Sequence, residues 1–370
     1  MGNRLLIAIG NRSSGSVPID RPKLRMRATI INATSYFGLE LVRLLSTHPA
    51  FKIHELTARS HAGRSFGDVF PHARTFDGGR AAEIRLVATE EVGLDTEVVF
   101  SCLPHMASAE VLAPFMQAGV RAIDVSADLR LTSADDYQTY YGHPHPRPDL
   151  LGDAVYGLPE LHREEIAAAR AVGNPGCYPT AAILSAAPAL AAGLIEPDIV
   201  FDAKSGISGA GRSLKLDSHY SEVAESIHPY GVDGHRHAAE MIQELELIAA
   251  REVAVTFIPH LTPMIRGILS TGYARLTRPA KPAEIDDLYR DFYADAPFTL
   301  ALDQPPRSKW VAGSNYCAVH ARPSPDGRRL MMFGVVDNLV KGAAGQALQN
   351  ANLMAGFDER CGLEVAPAYP

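Results

Sequence analysis

The stretch RMRATIINATSYFGLELVRLLSTHP (25–49) decides the fold of the chain. A β-branched run from Ala28 to Ile31 leads into a polar turn, after which leucine and valine recur at helical spacing. The next residues, FKIHELTARS (51–60), alternate apolar and polar side chains as a second strand does. A strand, a helix and a strand in this order predict a β-α-β unit, the opening of a parallel sheet of the kind that binds dinucleotides.

The rest of the chain extends this pattern and then changes it. TEVVFSCLP (96–104) and GVRAIDVSA (119–127) are predicted strands, with a helix over Ala107–Gln117 between them. A long Ala/Leu helix, TAAILSAAPALAAGLI (180–195), precedes a strand that runs into a Gly/Ser loop, IVFDAKSGISGAGRS (199–213). Four more β-rich stretches follow, separated by turns or a helix: VAVTFIPHL (253–261), GILSTGYARLT (267–277), YCAVHARPS (316–324) and RRLMMFGVVDN (328–338).

The change from strands that alternate with helices to a series of β-rich stretches predicts two domains in a protein of the α/β class. The length of 370 residues also favours two domains. We expect a Rossmann-type parallel-sheet domain over 26–176 and 337–370, and an α+β domain with a mixed or antiparallel sheet over 177–336. The helical pattern of 337–356 is expected to pack back on the first domain. Residues 1–25 are expected to be a disordered extension.

Composition excludes several classes of protein. A net charge of −7 argues against a sequence-independent nucleic-acid binder. The four cysteines lie far apart, which is typical of a reducing compartment. No apolar run approaches the ~20 residues of a membrane span, and the first apolar stretch is too short for a signal peptide. We therefore expect a cytoplasmic protein with neither membrane nor nucleic-acid partners.

The strongest local feature is GNPGCYPT (173–180), in which a tight turn places Cys177 just before a helical run. Free N–H groups and the dipole of a helix N-terminus favour a thiolate. The same N–H groups can stabilise an oxyanion on a substrate carbonyl. We therefore interpret Cys177 as a covalent nucleophile rather than as a small buried hydrophobe.

A thiolate nucleophile needs an acid/base partner, and DGHRHAAEM (233–241) supplies candidates. His235 and His237 flank an arginine there, and Glu240 follows. The two histidines are also spaced like half of a zinc site, but no third ligand follows at a useful distance, so we predict no metal. A purely structural role for the segment stays open.

Three arginines next to Gly/Ser turns are candidates for binding substrate anions, because guanidinium groups suit phosphate and carboxylate. They are Arg130 in DVSADLRL, Arg212 in SGISGAGR and Arg266 in PHLTPMIRGI.

The turn after the first strand lies where dinucleotide-binding proteins carry glycines. Here Asn32 and Ser35 replace two of them and only Gly38 remains. The residues expected to contact the cofactor on this turn are Thr34, Ser35, Tyr36, Phe37 and Gly38. Asn tolerates left-handed φ and the hydroxyls can bind phosphate. After the second strand, Arg59 and Ser60 suit a 2′-phosphate and predict NADP rather than NAD.

These segments together resemble the N-acetyl-γ-glutamyl-phosphate reductase family, relatives of aspartate-semialdehyde dehydrogenase. The resemblance covers nearly the whole chain from Met26. The motifs that carry it are YGLPEL (156–161), SADLRL (126–131), GNPGCYPT (173–180), SGISGAGR (205–212), SEVAES (221–226), GHRHAAE (234–240), IPHLTPMIRGI (258–268) and DNLVKGAAGQALQNANLM (337–354).

The resemblance implies an oxidoreductase of arginine biosynthesis and a homo-oligomer, dimer or tetramer. It gives the nucleophile role to Cys177 and the acid/base role to the His-Arg-His segment, where we expect His235 first and His237 second. It places LPHM (103–106) and 337–346 around the cofactor. The cofactor residues implied in this way are Pro104, His105, Ser208, Gly209, Asn338 and Gly342.

The implied reaction is attack of Cys177 on an acyl phosphate, loss of phosphate, reduction of the resulting thioester by NADPH, and histidine-assisted release of the aldehyde. Within the class, a related semialdehyde dehydrogenase or a carrier-protein-linked lysine-pathway reductase stays open. Outside it, a cofactor-free Cys/His protein, either a hydrolase or a subunit that has lost NADP binding, also stays open, because Asn32 and Ser35 stand in place of glycine.

Overall fold

The computed structural model describes residues 25–369, so the extension expected over 1–25 lies, apart from Arg25, outside the described residues. The first part of the chain contains β1 (Met26–Ile31), α1 (Tyr36–Ser46), β2 (Phe51–Leu56), α2 (Phe66–Val69), α3 (Arg80–Glu83), β3 (Val98–Ser101), α4 (Ser108–Gln117), β4 (Arg121–Asp124), α5 (Ala134–Tyr141), β5 (Ala154–Tyr156), α6 (Pro159–Ala168) and β6 (Ala171–Gly173). The second part contains α7 (Cys177–Ala191), β7 (Ile195–Gly206), α8 (Tyr220–Val223), β8 (His228–Pro229), α9 (His237–Ala249), β9 (Ala254–Thr262), β10 (Ile268–Leu276), α10 (Pro282–Phe292), β11 (Thr299–Ala301), β12 (Cys317–Pro323), β13 (Arg329–Val336) and α11 (Gly345–Met354).

The first sheet has six strands in the order β2-β1-β3-β4-β6-β5, and all of its pairs are parallel. This confirms the predicted Rossmann-type sheet. From β1 the chain moves to β2 on one side and then crosses back to β3 on the other. The strand order therefore reverses between β1 and β3, which is the point where open parallel sheets bind ligands, outside the carboxyl ends of the strands.

The first β-α-β unit forms because its helix has a side-chain N-cap and a largely apolar buried face. Ser35 is the N-cap of α1, and its Oγ accepts a hydrogen bond of 3.0 Å from the Gly38 N–H. A Cβ on Gly38 would lie 2.6 Å from the Ala33 Cα, so only glycine lets α1 pack this closely on the turn. Leu41 and Leu45 are buried against the sheet.

The second sheet has seven strands in the order β11-β12-β13-β10-β7-β9-β8. Its β7–β9 and β11–β12 pairs are parallel and its other pairs are antiparallel, which confirms the predicted mixed sheet. Side chains of α7, α9 and α10 share one apolar core with one face of this sheet.

The C-terminal segment returns to the first sheet, as the sequence predicts. A π-helical turn, Val340–Ala344, leads into α11. Val340, Ala347 and Met354 belong to the same apolar core as β1 and α1. Within residues 25–369, no helix has the length and apolarity needed to cross a membrane.

Candidate active site

A cavity of about 360 Å³ opens at the reversal point of the first sheet. Asn32 follows β1, Cys102 follows β3 and Val125 follows β4, so three parallel strands deliver their carboxyl ends to one wall. The start of α7, the Gly/Ser loop after β7 and the start of α9 form the opposite wall. The side chains and glycines of this second wall are Gly176, Cys177, Gly209, Ala210, Gly211, Arg212, Ser213, Arg236 and His237.

Cys177 is the first residue of α7 and lies partly exposed on the cavity wall. The turn before it brings the chain out of β6, and the π-helical turn packs directly behind it. A Cβ on Gly342 would lie 2.8 Å from the Cys177 Cβ, so the nucleophile has this position only because residue 342 lacks a side chain. Single π-turns of this kind occur often at functional sites.

Burial raises the pKa of the Cys177 thiol to about 11. The Arg130 guanidinium and the Tyr178 N–H lower this pKa, but they do not outweigh burial. The expected thiolate is therefore not the resting form in this structure. The thiol must lose its proton to a nearby base before it attacks.

A buried ion pair fixes the turn that carries the nucleophile. Arg130 Nη1 donates to Glu240 Oε1 at 3.0 Å, and both side chains are almost fully buried. The other carboxylate oxygen of Glu240 accepts hydrogen bonds from the Gly176 N–H (2.8 Å) and the Tyr156 hydroxyl (3.0 Å). Glu240 thus joins Arg130, Gly176 and Tyr156 around the cavity. Loss of this carboxylate would leave the buried Arg130 guanidinium without its ion-pair partner.

The structure separates the two candidate histidines. His237 lies on the cavity wall, and its Nε2 would be 2.8 Å from a Cβ on Gly176, directly before the nucleophile. His235 does not line the cavity; its ring packs edge-on between Tyr178, Tyr230 and Phe257. Burial lowers the pKa of His235 to about 4, and burial together with nearby positive charge lowers that of His237 well below its usual value. Both imidazoles are therefore neutral, and His237 lies on the cavity wall whereas His235, our first expectation, does not; the acid/base role stays a prediction.

The three predicted substrate arginines have different positions. Arg130 lines the cavity, with Nε and Nη2 donating to the carbonyls of Asn174 and Val125. Arg212 lines it on the nucleotide side, where Nη1 donates to the Thr34 carbonyl at 2.6 Å. Arg266 is not on the cavity wall, because its guanidinium pairs with Glu40 of α1 and with Asp337. The structure thus brings two of the three into the site.

The turn after β1 holds its shape through the two residues that replace glycine. Asn32 adopts a left-handed φ of 59°, and its Nδ2 donates to the Cys102 carbonyl at 2.8 Å. Ser35, Tyr36 and Phe37 line the cavity, whereas Thr34 and Gly38 do not. Gly38, expected to contact the cofactor, instead serves the packing of α1.

The remaining candidate cofactor residues fall into two groups. Pro104, His105, Gly209 and Gly342 line the cavity. Ser208 and Asn338 are buried behind it and bind each other, with Asn338 Nδ2 donating to Ser208 Oγ at 2.9 Å. These two side chains therefore hold the Gly/Ser loop in place on the side that faces away from the cavity.

Arg59 and Ser60 lie exposed beyond the carboxyl end of β2, next to the reversal point of the sheet. This is the edge at which a bound dinucleotide would present its ribose.

Sequence reasoning missed two kinds of functional residue. Arg236 lines the cavity, but its place between two histidines in the sequence indicates no role of its own. Asp128 organises the LPHM segment by accepting hydrogen bonds from the N–H groups of Met106 and Ser108. The sequence signal for Asp128 was present in SADLRL, where we considered only the arginine. In the described part of the chain no cluster of three His, Cys, Asp or Glu side chains could hold a metal ion.

Both sheets of the protein lie in regions that match known protein families. Residues 27–169 match the family model described as semialdehyde dehydrogenase, NAD binding domain. Residues 177–338 match the model described as semialdehyde dehydrogenase, dimerisation domain. Among solved structures, aspartate semialdehyde dehydrogenase with NADP from Candida albicans is similar, with a TM-score of 0.69 and 19% identity over 90% of this chain and 98% of that one. Aspartate semialdehyde dehydrogenase II from Vibrio cholerae, complexed with ASA, has a TM-score of 0.68 and 18% identity over the same shares of the two chains.

Sequence relatives are much closer. An N-acetyl-gamma-glutamyl-phosphate reductase of Dehalococcoides mccartyi is 44% identical over 94% of this chain and 99% of its own length. The protein of the same name from Symbiobacterium thermophilum is 46% identical over 94% of this chain and 100% of its own. The shared domains, the parallel sheet and this level of identity over whole chains make the protein a member of the N-acetyl-γ-glutamyl-phosphate reductase family.

Proposed function

We propose that this protein reduces N-acetyl-γ-glutamyl phosphate to N-acetylglutamate semialdehyde with NADPH and releases phosphate, a step of arginine biosynthesis. The observation that carries the proposal is the shared cavity of Cys177, His237 and Arg130 at the carboxyl ends of a parallel sheet. A nucleophile, a base and a cation in one cavity are the groups that acyl transfer from a phosphate requires.

The first chemical step uses only side chains of this cavity. His237, which lines the same cavity, is the base that takes the proton of the Cys177 thiol once bound substrate brings the raised thiol pKa and the lowered imidazole pKa closer together. The thiolate attacks the carbonyl carbon, the bond to the phosphate oxygen breaks, and a thioester forms on Cys177. Positive charge from Arg130 and the α7 N-terminus stabilises the oxygen that becomes negative during the attack.

The second half of the reaction lowers the oxidation level of the bound acyl group. NADPH, when bound, supplies the hydride for this reduction. In this proposal His237 takes the hydroxyl proton of the resulting thiohemiacetal while the C–S bond breaks. The aldehyde then leaves, and Cys177 is regenerated for another turnover.

The residues around the cavity fit a nicotinamide dinucleotide. Gly209 and Gly342 leave room for a ligand on the cavity wall. A Cβ on Gly209 would contact the Ser205 Oγ, and a Cβ on Gly342 would clash with the Cys177 Cβ. Ser35, Tyr36 and Phe37 stand at the start of α1, whose N-terminus favours a pyrophosphate. We assign the 2′-phosphate of NADP to Arg59 and Ser60, because both are exposed at the end of β2.

We further propose that the enzyme is a cytoplasmic homo-oligomer, a dimer or tetramer. The four cysteines are all free, as expected in a reducing compartment. In residues 25–369, α7, α9 and α10 pack on one face of the second sheet, and part of the other face leaves apolar side chains on adjacent strands exposed. Tyr273 lies opposite Val200 and Met331 there, and the exposed fractions of Tyr273 and Val200 are 38% and 39%. A second copy would bury this surface.

The proposed function is tested with purified protein in the reverse direction. N-acetylglutamate semialdehyde, inorganic phosphate and NADP should yield NADPH, with turnover falling sharply when aspartate semialdehyde or NAD is substituted. Preference for aspartate semialdehyde would overturn the substrate assignment. Preference for NAD would overturn the cofactor assignment alone.

A further inference from the structure

The cavity holds one guanidinium that no other group of the described chain engages. The three nitrogens of Arg130 already donate to Asn174, Glu240 and Val125. Arg212 binds the Thr34 carbonyl and stacks on Phe70, with its guanidinium carbon 4.7 Å from the ring centre. Within residues 25–369 the Arg236 side chain makes no hydrogen bond or ion pair, although it lines the cavity.

A second unsatisfied group lies beside Arg236. The guanidinium carbon of Arg236 is 6.0 Å from the ring centre of Tyr141. Tyr141 is nine-tenths buried, and its hydroxyl has no hydrogen-bond partner in the described residues. Its ring stacks on Tyr137 and contacts His105, which lines the cavity. A buried hydroxyl without a hydrogen-bond partner lowers the stability of the fold, so an acceptor on a bound ligand would explain why the Tyr141 hydroxyl lies there.

The local potential also favours an anion at this place. Arg236 immediately precedes α9, whose N-terminus adds partial positive charge. Burial is the main cause that lowers the pKa of His105, of His235 and of His237, and the positive charge of Arg236 lowers all three further. Burial raises the pKa of the Tyr141 hydroxyl, so the group remains a donor at neutral pH.

The substrate of the proposed reaction carries two anions at opposite ends of its carbon chain. The phosphate leaves from the reacting carbonyl and must lie next to Cys177, where Arg130 is the charge that lowers the thiol pKa. A Cβ on Gly176, the residue before Cys177, would meet His237, Arg130 and Glu240 first, so Arg236 lies farther from the turn that carries the nucleophile. The carboxylate is the anion at that greater distance from the reacting carbon.

Resting on the proposed function, we propose that Arg236 and the Tyr141 hydroxyl bind the α-carboxylate of the substrate and make the enzyme specific for N-acylated amino-acid acyl phosphates. A guanidinium fork and a phenol hydroxyl together match the two oxygens of a carboxylate. Arg236 is thereby a specificity residue, distinct from the groups that serve the phosphate.

The test compares two substrates in four variants. The substrates are N-acetyl-γ-glutamyl phosphate and its decarboxylated analogue, an acetamidobutanoyl phosphate, which keeps the reacting group and the amide. Arg236→Gln should lower kcat/KM for the full substrate by about 10- to 100-fold and leave that for the analogue nearly unchanged. Tyr141→Phe should show the same selectivity with a loss of about fivefold. Arg251→Gln, an exposed arginine just beyond the other end of α9, is the matched control and should behave like wild type.

Thermal melting of each variant separates lost recognition from lost folding, and Arg236→Lys, which keeps the charge, should retain part of the preference. Equal losses on both substrates would overturn the inference, because Arg236 would then serve the phosphate or the chemistry. An active wild type whose Arg236→Gln and Arg251→Gln variants behave alike would also overturn it. Wild-type protein that reduces neither compound would contradict the proposed function itself, and the inference with it.

Discussion

Cys177 is subject to two opposing influences on its thiol. The α7 N-terminus and Arg130 favour the thiolate, whereas removal from water favours the thiol, and burial is the larger effect. Protonated cysteine is a weak nucleophile but also resists unwanted alkylation and oxidation. In the proposed mechanism, Cys177 is activated only when His237 takes its proton in the presence of substrate.

This balance predicts how the free enzyme reacts with iodoacetamide. Because the pKa of Cys177 is raised to about 11, the thiolate is scarce at pH 7. The alkylation rate at Cys177 should rise about tenfold per pH unit from pH 7 to 10. Peptide mass spectrometry locates the label, and Cys177→Ser accounts for labelling elsewhere. A rate that levels off below pH 8 would show that the helix N-terminus outweighs burial.

The two histidines should respond differently to substitution. His237→Asn should lower kcat by about 10²–10⁴-fold with little change in KM, because proton transfer acts in the transition state. His235→Asn should mainly lower the melting temperature, since its ring packs among three aromatic side chains. The reverse pattern of activities would return the acid/base role to His235.

The sequence could identify this histidine pair but could not choose between its members. The choice depends on where α9 begins, and α9 begins at His237, after a left-handed glycine turn that carries no periodic signal. Arg236 was overlooked for the same reason. Cys177, by contrast, could be predicted because the turn, the cysteine and the helical run are contiguous.

At the scale of elements, the turn between β1 and α1 shows how polar residues can replace glycines. Asn32 binds the carbonyl after β3 and Ser35 caps α1, so both groups support the loop itself. The double variant with Asn32→Gly and Ser35→Gly should bind NADPH more weakly, by about 1 kcal/mol for each lost hydrogen bond. Calorimetric titration against wild type measures this difference. Tighter binding by the variant would mean that the two side chains crowd the cofactor.

Long strands and helices with regular periodicity could be predicted, and short ones could not. Strands β9, β10, β12 and β13 have seven to nine residues, so their β-rich composition is visible in the sequence. Strands β5 and β6 have three residues each, too few for a period to be visible. Strand β6 can form because Gly173 has no side chain. A Cβ on Gly173 would lie 1.9 Å from the Leu129 carbonyl oxygen. Such tertiary contacts leave no local pattern.

At the scale of the whole molecule, the two sheets have unequal surroundings. Helices pack on both faces of the first sheet, whereas the second sheet leaves Val200 and Tyr273 more than a third exposed. Replacing Val200 and Tyr273 with Glu should therefore convert the proposed oligomer to monomers, measured by light scattering after size-exclusion chromatography. Leu247→Glu, at an exposed leucine of α9, is the matched control. An unchanged mass for the Val200/Tyr273 variant would place the interface elsewhere.

The account depends most on a covalent acyl group at Cys177. Protein mixed with N-acetyl-γ-glutamyl phosphate in the absence of NADPH, quenched in acid and examined by intact-mass and peptide mass spectrometry, reports on it directly. We expect a mass gain of one N-acetylglutamyl group on the peptide that contains Cys177, its loss on addition of NADPH, and no adduct in a folded Cys177→Ser variant. Turnover by wild type without any adduct, or near-normal turnover by Cys177→Ser, would contradict the thioester route.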